Sequence, residues 1–262
     1  MGDQMSVATG QDLTVTRQIG AIRFVPVSAG EAADAVVMSS LRVRSEGAHV
    51  HLANAYSIAL ADKDPATREA FSGDAINFAD GKPLTWFSKI RGHRPAVRQV
   101  RGPQLFRDVF DRGREHGLKH YLLGSTNETL LKLKFELEDQ FPGVEIVGMA
   151  SPPFRTLSPA EVDAQDSEIK ESGAHVVWVG LGTPKQDFEV ARLANSLPVV
   201  AVAVGAAFDF VAKTVAEAPS WIGAIGFEWL YRFASEPRRL WRRYLFGNVR
   251  FVWSLQKNWS KR

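Results

Sequence analysis

His175-VVWVGLGTPKQDFEVARLANSLPVVAVAV-Gly205 is the stretch that decides the fold. "HVVWVGLG" and "PVVAVAVG" are continuous apolar runs of strand length, and "PKQDFEVARLANSL" between them has the length and polarity of a helix. Strands that read as unbroken apolar runs, joined by a helix, belong to a parallel sheet covered on both faces. The same alternation extends backwards. "KHYLLG" reads as a strand, and Ser125 and Glu128 have capping-box spacing before the helix "NETLLKLKFELEDQF". Pro142-Gly143 turns the chain into "VEIVG", and "PAEVDAQDSEIKESG" is the next helix. Earlier still come the strand "IRFVPVS", the helix "AGEAADAVVMSSLR", the strand "AHVHLANA", a helical stretch broken near Pro65, the strand "AINFADGKP" and the helices "LTWFSKIRG" and "GPQLFRDVFDRGREHG". The expected fold is an α/β, Rossmann-like, mostly parallel sheet flanked by helices. Ligands of such folds sit at the carboxyl ends of strands.

The chain has 262 residues, 45% hydrophobic, enough for one sizeable core. It has no cysteine, which removes disulfides, thiolate metal sites and thiol nucleophiles. Its start shows no basic segment followed by an apolar run, so no signal peptide is expected. Residues 1–20 read as an N-terminal tail, 21–218 as the α/β core and 219–262 as a C-terminal appendage. The appendage is basic, Trp-rich and helical in pattern, with Trp221, Trp229, Trp241, Trp253 and Trp259 among its arginines. From Arg232 onward nine Lys or Arg face only Glu236, a net +8, while the whole chain is +3 and the remainder therefore −5. Leu240, Trp241, Tyr244 and Leu245, with Val252 and Leu255 further on, form an apolar stripe beside Arg238, Arg239, Arg242 and Arg243. Such a segment suits a membrane surface, a diphosphate or a nucleic acid, or packs on the body with a solvated basic face.

Several strand ends carry candidate chemistry. In "VGLGTPKQDF" (Val179–Phe188) the spacing is not that of a P-loop, and Lys185 stands where GxGxxG needs its third glycine. Gly180 and Gly182 before a helix still let a ligand approach the backbone, and Lys185 adds positive charge. Equally, Thr183 suits an N-cap, Pro184 the first helical position and Gln186 the reciprocal cap, so both readings stand. Asp80-Gly81 is an acid at a strand end, placed for a general base or for a turn. Asn54 is placed to bind a base or sugar or to hold a turn. Asp209 follows Gly205 in an apolar setting and needs a partner or a function. Asp62-Lys63-Asp64 mimics a cation-binding acidic pair, but polar neighbours and Pro65 favour a solvated turn. His49 and His51 alternate on a strand without ligand spacing. No protein-held metal and no cofactor are expected.

"NFADGKPLTWFSKIRG", "VRGPQLF", "VVWVGLGTPKQDFEV" and "APSWIGAIGFEWLYRFASEPRRLWRRYL", in this order, resemble the WecG/TagA/CpsF family of bacterial glycosyltransferases over roughly residues 22–250. The resemblance implies an inverting transfer from a UDP-sugar to a sugar on a polyprenyl diphosphate, in the synthesis of a cell-surface polysaccharide. It implies a peripheral enzyme on the inner face of the cytoplasmic membrane, with no nucleic-acid partner and homo-oligomerisation left open. Asp80 then matches the base. Asn54, Gly102, Gly180, Gly182, Thr183, Lys185, Gln186 and Asp209 match the donor site. Arg232, Arg238, Arg239, Arg242 and Arg243 match the groups meeting diphosphate and membrane. The chain departs from the family pattern at Leu52, where many members have Thr, and at Gln99-Val100-Arg101-Gly102-Pro103-Gln104-Leu105, which lacks the usual Arg and Asp. Arg98 or Arg101 is the candidate replacement for that arginine. The rival readings are a Rossmann-type oxidoreductase and a basic membrane or nucleic-acid adaptor without catalysis.

Overall fold

The computed structural model describes residues 13–42, 47–219 and 250–256, together with 222, 230, 231, 233, 238 and 247. The chain begins with a small antiparallel pair, β1 (Arg17–Ile19) and β2 (Ile22–Phe24). β1 thus lies inside the stretch expected to be a tail. Six further strands follow: β3 (Ala48–Ala53), β4 (Ile76–Ala79), β5 (Lys119–Gly124), β6 (Glu145–Ala150), β7 (Val176–Gly180) and β8 (Val200–Ala203). They form one sheet in the order β4-β3-β8-β7-β5-β6, and every neighbouring pair is parallel.

The apolar strands dictate this arrangement. Val176, Val177, Trp178 and Val179 of β7 are all fully buried, so the strand needs cover on both sides. Trp178, Val200 and Val202 face one layer, packed with α1 (Ala29–Leu41), α5 (Gly102–Gly113), α6 (Asn127–Gln140) and α9 (Ala207–Val211). Val177, Val179, Ala201 and Ala203 face the other, with α7 (Pro159–Glu171) and α8 (Lys185–Ser196). Burying one side chain of this size contributes about 1.5–3 kcal/mol. A third cluster joins β1 and β2 to α2 (Ala55–Lys63), Phe71 after α3 (Pro65–Ala70), and Leu84 of α4 (Lys82–Ile90).

The predicted Pro65 break is the boundary between α2 and α3. Asp64 caps α3, accepting from the Thr67 backbone N–H and hydroxyl, and those bonds hold its carboxyl below its ordinary range. The cap of α6 falls one residue later than expected. Ser125 has φ 58°, outside the extended region that an N-cap requires, and Thr126 accepts from the Thr129 N–H instead. Residues 250–256 are helical. Phe251 and Leu255 pack on the third cluster and Ser254 is buried, whereas Val252, expected in the apolar stripe, is exposed beside Trp253. The helix presents residues 251, 254 and 255 inward, which leaves 252 on its outer face.

Among the described residues Trp178 is the largest fully buried side chain, and its indole N–H needs an acceptor. His120 Nδ1 supplies it at 3.1 Å, with the His120 ring stacked 4.0 Å from Phe110. Burial, and secondarily the neighbouring His175, push His120 down to about 3. Below its unfolded value near 6.5 the unfolded chain takes up a proton that the folded chain refuses, so stability falls as pH falls toward 3. Between pH 6.5 and 5 this single group removes about 2 kcal/mol at about 1.4 kcal/mol per pH unit. Urea unfolding at the two pH values measures it, and His120→Gln is expected to flatten that part of the profile.

Candidate active site at the carboxyl edge of the sheet

Four adjacent strands, β4, β3, β8 and β7, end in the residues singled out from the sequence. Asp80 follows β4, Asn54 follows β3, Gly205 lies beyond β8, and Gly180 closes β7. Short contacts tie these ends together. The Asp80 N–H donates to the carbonyl of Ala53 at 2.8 Å, and the Val100 N–H donates to that of Ala79 at 2.8 Å. Gly102 opens α5 where a Cβ would lie 3.3 Å from Leu52 and 3.4 Å from the carbonyl of Val204. Leu52, a departure from the family pattern, is therefore a buried residue packed against the start of α5.

The loop after β7 is built on its two glycines. At Gly180 a Cβ would sit 2.6 Å from the ring of Phe208, so a side chain there would collide with α9. Gly182 has φ 76°, a conformation L side chains rarely adopt, and nothing lies within 4 Å of the Cβ position. One of the two readings left open by the sequence had Thr183 cap α8 with Gln186 as reciprocal cap. Instead Pro184 occupies the N-cap position, without a side-chain cap, after a cis Thr183–Pro184 bond. Gln186 is buried and bends back: its Oε1 accepts from the Gly182 N–H at 3.0 Å, while its amide lies against Gly205. Gln186 thus braces the loop against the end of β8. Lys185 is exposed in the first turn, and Thr183 is half-buried.

Asn54 is the N-cap of α2, accepting at Oδ1 from the Tyr56 and Ser57 N–H groups at 3.0 and 3.4 Å. Asp209 is half-buried in α9, and its carbonyl accepts from the Thr214 and Val215 N–H groups. The first turns of α4, α5, α8 and α9 carry no side-chain cap hydrogen bond, unlike those of α1, α2, α3, α6 and α7. The positive end of a helix dipole favours anions.

Sequence reasoning missed two features. His49 and His51 share a hydrogen bond of 2.9 Å, and His51 Nδ1 donates to Asp187 Oδ1 at 3.1 Å. Burial, then His51, push His49 down to about 4. Asp187 directly follows Gln186, so this buried pair pins the loop's helix onto β3. The alternating histidines were the visible signal; the partner lay 136 residues away. The second feature is Glu217, which accepts from Arg101 at 2.9 Å and from Arg107 at 3.0 Å. Arg101, a candidate to replace the family's arginine, thus meets an acid from beyond α9. Arg98 is exposed near Glu31. Of the tail arginines, Arg238 is exposed; Arg232, Arg239, Arg242 and Arg243 lie outside the described residues.

The chain belongs to the glycosyl transferase WecG/TagA/CpsF family, whose model matches residues 17–262. The match runs from β1 to the end of the chain and so includes every strand end described above.

His51 and Asp187 are both buried, so His51→Ala strands a carboxylate whose Oδ2 already has no hydrogen-bond partner among the described residues. Leaving a buried charged acceptor without its hydrogen-bond donor costs at least about 1–3 kcal/mol. Urea unfolding at neutral pH is expected to show a loss of that size for His51→Ala and a smaller one for Asp187→Asn, which removes the charge as well.

Proposed function

We propose that the carboxyl edge is the site of an inverting sugar transfer from a UDP-sugar to a sugar on a polyprenyl diphosphate, at the inner face of the cytoplasmic membrane, in cell-surface polysaccharide synthesis. One observation carries the reading beyond the family: Asp80, Asn54, Gly205 and the 180–186 loop end four neighbouring strands. At about 4.8 Å per strand they span about 14 Å, room for an extended nucleotide sugar. The loop braced by Gln186 takes the nucleotide diphosphate end, with Gly182 open to it and Lys185 beside it. Asp80, at the other end of the row, takes the acceptor.

In this mechanism the Asp80 carboxylate accepts the proton of the acceptor hydroxyl as that oxygen attacks the anomeric carbon. The new glycosidic bond forms on the face opposite the departing oxygen of UDP, whose bond to carbon breaks with its electron pair. Inversion follows from this single displacement. The charge developing on UDP is met by helix first turns at the edge and by arginines. Gln186 acts through the loop it holds, and Asn54 through the start of α2. Leu52 and Gln104 stand where many members carry Thr and Asp, so the donor sugar is read as either glucosyl or N-acetylhexosaminyl.

Asp80→Asn is expected to lower kcat by about 10²–10⁴-fold, the usual contribution of a general base, with the donor KM nearly unchanged. Transfer from a panel of UDP-sugars to a short-chain polyprenyl diphosphate sugar measures it. Wild-type turnover by a folded Asp80→Asn protein would remove Asp80 from the role.

A further inference from the structure

Between Gly81 and Arg107 the chain contains no Asp or Glu, yet it carries Lys82, Lys89, Arg91, Arg94, Arg98, Arg101 and Arg107. This block of +7 is separate from the basic tail, and the net −5 of the chain before Arg232 hides it. Arg101 and Arg107 meet Glu217; the other five lie on or just beyond α4. The same helix exposes two large apolar side chains, Trp86 at 46% and Ile90 at 75% of their full areas. They stand four residues apart with exposed Lys89 between them, so all three share one face. The opposite face is buried through Leu84, Thr85 and Ser88. Below α4 the backbone is held in place: Ser88 Oγ accepts from the Val97 N–H at 2.9 Å and bonds to His93 Nδ1 at 3.0 Å, and Arg17 donates to the carbonyls of Arg94 and Pro95.

We infer that this face of α4 is a docking surface for an anionic lipid bilayer. A Trp and an aliphatic side chain on one face, with Lys and Arg around them, are the composition of an interfacial helix. Each basic residue near such a surface strengthens binding about fivefold. The helices among the described residues are too short or too polar to cross a membrane, so the contact is one of lying on the surface. Position gives the contact its use. α4 starts at Lys82, with Gly81 as its N-cap next to Asp80, so docking through Trp86 and Ile90 holds the end of β4 at the lipid surface. Helix 250–256, which packs on the same cluster as α4, also exposes two large apolar side chains, Val252 and Trp253. The link to a lipid-borne acceptor rests on the glycosyl-transfer reading above; the docking itself does not.

The absence of cysteine makes a direct test available. Ile90→Cys in the full chain is labelled with an environment-sensitive fluorophore, and Phe135→Cys, exposed on α6, serves as control. With vesicles containing phosphatidylglycerol the Ile90 label is expected to shift to the blue and the Phe135 label to stay unchanged. Lys89→Glu with Arg94→Glu is expected to weaken vesicle binding at least about 25-fold, at about fivefold per charge, with an unchanged melting temperature. Three results overturn the inference: binding to vesicles with an unshifted Ile90 label, no binding at all, or a shift caused by protein concentration alone, which would assign the face to contact between copies. Loss of sugar transfer on a water-soluble acceptor is scored separately and speaks to the reaction rather than to docking.

Discussion

Every strand of the six-stranded sheet runs the same way, and helices cover both of its faces. That constraint leaves the sheet no solvated face on which to place polar chemistry. Polar groups in the strands must be paired inside, as His51 is with Asp187 and Trp178 with His120, or be pushed to the ends. Because the strands are parallel, all their carboxyl ends meet on one edge. Asp80, Asn54, Gly205 and Gly180 reach a common line by this rule, although up to 151 positions separate them in the chain.

The edge is then stiffened from beneath. Gln186 joins Gly182 to Gly205, the His49–His51–Asp187 series joins α8 to β3, and Phe208 fills the space above Gly180. Each contact trades chemical freedom for position. Gln186 occupies the place of a direct ligand group, yet its oxygen is committed to a backbone N–H. Asn54 is committed in the same way to the start of α2. The side chains of Gln186 and Asn54 thus serve the edge by holding backbone, and the proposed chemistry falls to the groups beside them.

The fold was largely legible because apolar runs and their punctuation are local signals. "KHYLLG" became β5 at its expected bounds, and the Pro65 break became a helix boundary. The misplaced cap at Ser125 shows the limit: spacing proposed a cap, but a positive φ moved it to Thr126. In the site, the strand-end rule located the residues, while their hydrogen bonds depended on partners far away in the chain. No spacing pattern joins His51 to Asp187 or Arg101 to Glu217. The acid-free run from Gly81 to Arg107 was visible in the letters alone, but only a segmental charge count exposes it.

The central claim is that a nucleotide sugar lies along the ends of β7, β8, β3 and β4. Amide hydrogen exchange with and without a UDP-sugar, at concentrations that saturate a thermal shift, tests it most directly. The account predicts slowed exchange confined to residues 180–187, 204–209, 53–57 and 80–84. Slowed exchange at the opposite, amino-terminal edge of the sheet, with these four segments unchanged while the ligand is bound, would contradict it.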